Sequence, residues 1–159
     1  MTMENERQQH ITAANQQAEQ LADRLWTLTA EWGEFAKSSI GLPLTQAADA
    51  IGLNLLMSLG HKSVQEHMQY IAHARKRLAP ASYWLQRAVK RGLVDPADAQ
   101  KINAQMTELA RRLDQYAQSV LQFSRQSAAQ QYRKIAQDGP PAGKNKDAGE
   151  IAEEPAAAH

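Results

Sequence analysis

Between His61 and Arg91 the chain carries seven Lys or Arg (Lys62, Arg75, Lys76, Arg77, Arg87, Lys90 and Arg91), three His and a single acid, Glu66. Cations at this density suit phosphate. Ammonium and guanidinium groups contact the charged backbone of a nucleic acid, and an aromatic ring among them, here Tyr83, gives a base something to stack on. Lys62, Gln69, His73, Lys76, Tyr83, Arg87 and Lys90 step by 7, 4, 3, 7, 4 and 3, so on a helix they share one face. Arg77 and Arg91 adjoin it. A solvated helix face looks the same when its cations pair with acids on neighbouring helices or neutralise acidic patches of a partner. The residues alone leave both readings open.

Other chemistries fare worse. His61, His67 and His73 are six apart, which turns each about 240° from the last on a helix, so they cannot converge on one metal. They are expected as surface or capping residues. A di-iron bundle needs Glu-x-x-His on two helices; Glu66 is followed at once by His67, and Glu108 has Arg111 three residues on. No Ser-His-Asp grouping or Gly-rich phosphate loop is visible, because the glycines punctuate helices or the tail. The chain has no cysteine, which removes disulfides, thiolate metal sites and cysteine nucleophiles and suits a reducing cytoplasm. No catalytic residue, metal or cofactor is expected.

The basic segment hides inside a net charge of only +1. Leu21–Gln137 holds 15 Lys/Arg against 9 Asp/Glu, whereas the first 20 residues contribute −2 and Asp138–His159 contribute −3. Local asymmetry of this kind attracts polyanions even when the whole chain is near neutral.

Four amphipathic elements must position these residues. Ile11, Ala14, Ala18, Leu21, Leu25, Leu28, Trp32 and Phe35 alternate steps of 3 and 4, the seam of a first helix. Ser38–Pro43 breaks the pattern. A second helix covers about 44–59 and, with Leu53, Leu56 and Met57 apolar beside its stripe, is expected to be buried more fully than its neighbours. Ser63-Val64-Gln65-Glu66 reads as a capping box opening a third helix, with Val64, Met68, Ile71, Ala74, Leu78, Ala81, Leu85 and Ala88 inward and Pro80 set to kink or split it. Asp95-Pro96-Ala97-Asp98 opens a fourth. Short links predict an all-α, up-down-up-down antiparallel four-helix bundle with a disordered C-terminal tail. The expected organisation is a polar, fraying N-terminal extension over 1–17, the bundle over 18–137 and the acidic tail over 138–159. Trp26 and Trp84 lie one residue off their seams and are the best candidates for a subunit interface. Asn54, on an apolar helix, reads as architecture. The polar N-terminus lacks an apolar signal region, and no run approaches the ~20 apolar residues of a membrane span, so a cytoplasmic protein without membrane contact is expected.

Residues 47–94 also carry a recognisable pattern: Ala47-Ala48, Ile51 and Asn54-Leu55; then Gly60, His61, Lys62, Ser63 and Glu66; then Ala74, Leu78, Ala88, Gly92 and Leu93. This resembles the four-helix bundle family that includes the proteins encoded in rRNA intervening sequences. More distantly, that family includes the accessory variability determinant of diversity-generating retroelements. The resemblance implies a small non-enzymatic bundle, often a five-fold homo-oligomer. In the retroelement branch it implies a basic surface that binds RNA or DNA beside a reverse transcriptase. Departures fall in the third helix, where Lys76-Arg77 replace a small Gly-Ser pair and Pro80 replaces a common Glu. The combined expectation is a nucleic-acid-binding adaptor acting through Lys62, His73, Lys76, Arg77, Tyr83, Arg87, Lys90 and Arg91. The other reading is a protein-interaction bundle with no nucleic-acid role.

Overall fold

A computed structural model describes residues 2–60 and 63–139. It is an up-down-up-down antiparallel bundle of four helices: α1 (Met3–Ala30), α2 (Glu34–Leu59), α3 (Val64–Lys90) and α4 (Pro96–Asp138). Among the described residues there is no strand.

Local chemistry explains the ends. The Thr2 hydroxyl accepts the Asn5 N–H at 3.4 Å, and Glu4 and Glu6 occupy the first turn of α1, where the helix dipole favours anions. Ser63 caps α3 by accepting the Glu66 N–H at 3.4 Å. The same helix ends in a Schellman motif: Gly92 has φ +72°, its N–H donates to the Val89 carbonyl at 3.0 Å, and the Leu93 N–H donates to the Ala88 carbonyl at 2.9 Å. Pro96 opens α4, with Asp98 in its first turn.

Three expectations are corrected. The first helix is in the bundle well before Ala18: it starts at Met3, and Ile11 and Ala14 are buried with the rest of its seam. The break after it falls at residues 31–33 rather than at Ser38–Pro43. Lys37–Gly41 instead forms a π-helical turn continuous with α2, and its spare carbonyls are met by hydroxyls. Ser39 donates to the Phe35 carbonyl at 2.7 Å and Thr45 to the Gly41 carbonyl at 3.0 Å. Phe35 therefore leaves the α1 seam and is 85% exposed. Finally, α2 is not wrapped on all sides. Leu44, Ala48, Ile51 and Leu55 are buried, but Leu53, Leu56 and Met57 are largely exposed. Over Glu34–Leu59 the helix is long and apolar enough to cross a membrane by length and composition, which the run-by-run reading missed; its inner stripe is packed in the bundle core.

Pro80 does not split α3, which is continuous across it. The chain divides into two compact units, Met1–Gln126 and Ser127–His159. The first contains the bundle core, built from one stripe of each helix. In the second, α4 continues to Asp138 and Gly139 follows at φ +73°, with Tyr132 and Ile135 exposed. Of the tail expected over 138–159, Asp138 is the last residue of α4 and Gly139 follows it; the rest lies outside the described residues.

Leu55 is fully buried, so Leu55→Ala is expected to lower the unfolding free energy by about 2–5 kcal/mol. Gly52 is helical and has nothing within 4 Å of a built Cβ, so Gly52→Ala should raise it by about 1 kcal/mol. Urea titration of both variants measures the two effects.

Candidate nucleic-acid interface

The buried stripe of α3 is His67, Ile71, Ala74, Leu78, Ala81, Leu85 and Ala88. At about 100° per residue, Lys76, Tyr83, Arg87 and Lys90 project from the opposite side. Lys76 and Lys90 are exposed, Tyr83 is 55% exposed and Arg87 is half-buried. Along the axis Lys76 and Arg87 are about 16 Å apart, with Tyr83 between them. The Tyr83 ring is held edge-on to Trp84, centroids 5.1 Å apart. His73, Arg77 and Arg91 are exposed too, but sit about 70–110° round the helix on the flank away from α4. Lys62 lies outside the described residues.

Ion pairing separates the cations into two groups. Glu108 binds Arg111 at 2.6 Å and Arg112 at 2.9 Å. Hydrogen bonding to Arg111 first, then to Arg112, holds its carboxyl down at about 2, against the opposing pull of desolvation. Asp114 binds Arg75 at 3.2 Å, and Arg24 donates to Gln105 at 2.9 Å. Among the described residues no carboxylate lies within 4 Å of Lys76, Arg77, Arg87, Lys90 or Arg91. The cations of α4's middle are satisfied internally, and those of α3's outer surface are not.

Between α3 and α4 runs a groove of about 610 Å³. A second cleft, of about 270 Å³, lies between α1 and the π-turn of α2, walled by Trp26 and Leu42 with Lys37 at its edge. Trp26 is 67% exposed there. Trp84 is different: it is half-buried and packs on the core, so it widens the core. Asn54 donates from Nδ2 to the Ala50 carbonyl of its own helix at 2.7 Å, an architectural use.

His67 is corrected from surface to core. It is buried, and its Nε2 lies 2.5 Å from the Tyr116 hydroxyl. Its spacing from Ile71, Ala74 and Leu78 places it on the seam, a signal that the charged neighbourhood concealed. Ser58, fully buried on α2, donates to the Leu55 carbonyl at 2.7 Å and also meets the Tyr116 hydroxyl. The His67–Tyr116 contact ties α3 to α4. Burial pushes the Tyr116 hydroxyl above its ordinary 10, against smaller pulls from Ser58 and Arg7. Among the described residues no cluster of His, Asp or Glu fits a metal ion.

Fold and surface together define the class: a four-helix bundle whose third helix carries cations with no carboxylate in reach among the described residues. The chain belongs to the 23S rRNA-intervening sequence protein family, whose model matches residues 12–115. It is also similar to the crystal structure of a protein with unknown function from the S23 ribosomal protein family of Bacteroides thetaiotaomicron VPI-5482. That likeness has 16% identity and a TM-score of 0.61 over 69% of this chain and 98% of that one, and it bears on fold alone. No curated protein matches the chain.

Tyr116→Phe removes the buried hydroxyl that meets His67 and is expected to cost about 1–3 kcal/mol. The raised hydroxyl adds a pH signature. Below the unfolded value of 10 both states hold the proton and the group is neutral in its effect. As pH rises from there the unfolded chain ionises first, so stability falls until the folded value is passed. Unfolding curves between pH 8 and roughly 11 should show that loss in the unsubstituted protein and a shallower one in Tyr116→Phe.

Proposed function

We propose that the protein is a non-catalytic, cytoplasmic adaptor that binds nucleic acid through the outer surface of α3. The observation that carries this is the stripe Lys76, Tyr83, Arg87 and Lys90, set opposite the buried seam with no acid in reach. In the middle of α4 Arg111 and Arg112 share Glu108, in contrast to these α3 cations. An rRNA-associated family is congenial to an RNA partner. The finer form of the reading takes its partner and symmetry from the resemblance to the retroelement accessory proteins. In it the bundle forms a five-fold homo-oligomer that presents several such surfaces and holds nucleic acid beside a reverse transcriptase.

Gel-shift titration with RNA and with duplex DNA tests the coarse form. Binding is expected in dilute buffer, and if about four phosphates are neutralised log affinity falls with log salt at a slope of roughly −3. Lys76→Glu with Arg87→Glu should abolish the shift and leave the melting curve in place. Affinity that survives both changes, or that ignores salt, defeats the assignment.

One observation favours a protein contact as well. Leu53 and Leu56 are 59% and 64% exposed on the outer side of α2, and Trp26 and Leu42 wall the cleft beside the π-turn. Apolar surface of this kind marks association sites. Leu56→Lys is expected to lower the particle mass measured by light scattering without loss of helix; an unchanged mass removes α2 as the contact.

A further inference from the structure

The groove between α3 and α4 has a chemistry that the basic stripe does not explain. Leu78 and Met106, 7% and 5% exposed, form its floor. Above them stand Ser82 and Gln86 from α3 and Asn103 from α4, and Arg75 and Lys76 occupy one end. The side-chain amides of Gln86 and Asn103 have no hydrogen-bond partner among the described residues. An amide presents both a donor and an acceptor, the complement of a base edge. The acid on this flank, Asp114, is already bound to Arg75 at 3.2 Å, which leaves Lys76 as the uncompensated cation at the mouth. At about 610 Å³ the groove lies within the roughly 300–1,000 Å³ that small-molecule sites occupy.

We propose that this groove is a nucleotide subsite that takes one unpaired base of a single-stranded nucleic acid, whose adjoining phosphates lie on Lys76 and the α3 stripe. The inference rests on the nucleic-acid reading of α3 and narrows it. A flat ring resting on Leu78 and Met106 is removed from water at its face and meets the amides at its edge. The backbone leaves the groove past Lys76 toward Tyr83, whose exposed ring offers the next base a stacking surface. A duplex offers no such base: its rings are stacked inside, and a duplex laid on α3 would touch the stripe by its phosphates alone.

Fluorescence anisotropy with a labelled single-stranded RNA, and with the duplex formed from it, tests the subsite. Gln86→Ala with Asn103→Ala removes the edge contacts from two helix positions outside the core. It is expected to weaken single-strand binding about tenfold, to leave duplex binding within a factor of about two, and to leave the melting curve unchanged. Ala79→Met, which narrows the groove without touching its polar groups, should act in the same direction. Lys76→Glu should weaken both ligands. If the groove variants leave single-strand affinity unchanged, or weaken the duplex equally, the subsite is overturned while the basic stripe survives. If the unsubstituted protein binds neither ligand in dilute buffer, the nucleic-acid reading and the subsite fall together.

Discussion

Ala74, Ala81 and Ala88 are completely buried in α3, and Leu78 and Leu85 fill the seam between them. Alanine at the contact lets neighbouring helices approach closely and loses no side-chain entropy on burial, while the leucines supply most of the apolar area. This seam sets the rotation of α3 about its axis. A turn of one residue, about 100°, would bring Arg75 or Arg77 under the bundle, and an unpaired buried charge costs far more than the seam could return. The outer stripe is therefore not chosen independently of the core: once the alanines face in, Lys76, Tyr83, Arg87 and Lys90 must face out. The same constraint acts in α1 through Ala14 and Ala18, and in α2 through Ala48, all buried.

Why the outward positions should be cationic is a separate matter, and helix electrostatics settles part of it. Arg87 and Lys90 stand in the last turns of α3, where a cation interacts favourably with the helix dipole by about 0.3–1 kcal/mol. Glu66, the lone acid, stands in the first turn, again on the favoured side. Those three would be accounted for by stability alone. Lys76 and Arg77 would not, since mid-helix they gain nothing from the dipole and have no acid in reach. Nearby α4 shows what internal pairing looks like, with Glu108 shared by Arg111 and Arg112. The middle of α3 is where charge has no structural occupation, and it adjoins the polar groove.

Much of this was legible in the sequence because the bundle obeys one period. The α3 seam from Ile71 to Ala88, the seam of α4 and the stripe opposite the α3 seam follow from steps of 3 and 4, and the Ser63 cap and Gly92 stop from turn chemistry; Val64, expected inward, is 38% exposed in the first turn of α3. What failed did so for physical reasons. The π-turn at Lys37–Gly41 adds a residue to a helical turn, so the 3–4 pattern appears to break where the helix in fact continues, while the actual break at residues 31–33 takes Phe35 off the α1 seam. His67 obeyed the period but is polar, and polarity masked a buried hydrogen bond to Tyr116 that lies 49 residues away in sequence. Leu53, Leu56 and Met57 are apolar yet outward, which periodicity cannot distinguish from a helix buried on all sides. The α3–α4 groove was not legible at all, because Gln86 and Asn103 belong to different helices and only packing brings them together.

Pro80 joins these threads. A proline in a helix interior lacks the N–H that the carbonyl four residues earlier would accept, here that of Lys76, and its ring crowds that carbonyl; the usual cost is about 3 kcal/mol. Yet α3 remains helical throughout Val64–Lys90. The seam explains how: Leu78 and Ala81 flank the proline and both are buried, so tertiary packing holds the turn that local bonding has weakened. The weakened turn lies between Lys76 and Tyr83, on the exposed side and at the edge of the groove. It is thus the place in α3 where the helix interior lacks one N–H···O=C bond. A stiff, fully bonded helix would fix the distance between the cation pair and the aromatic ring. Here that distance is set across a turn lacking one hydrogen bond.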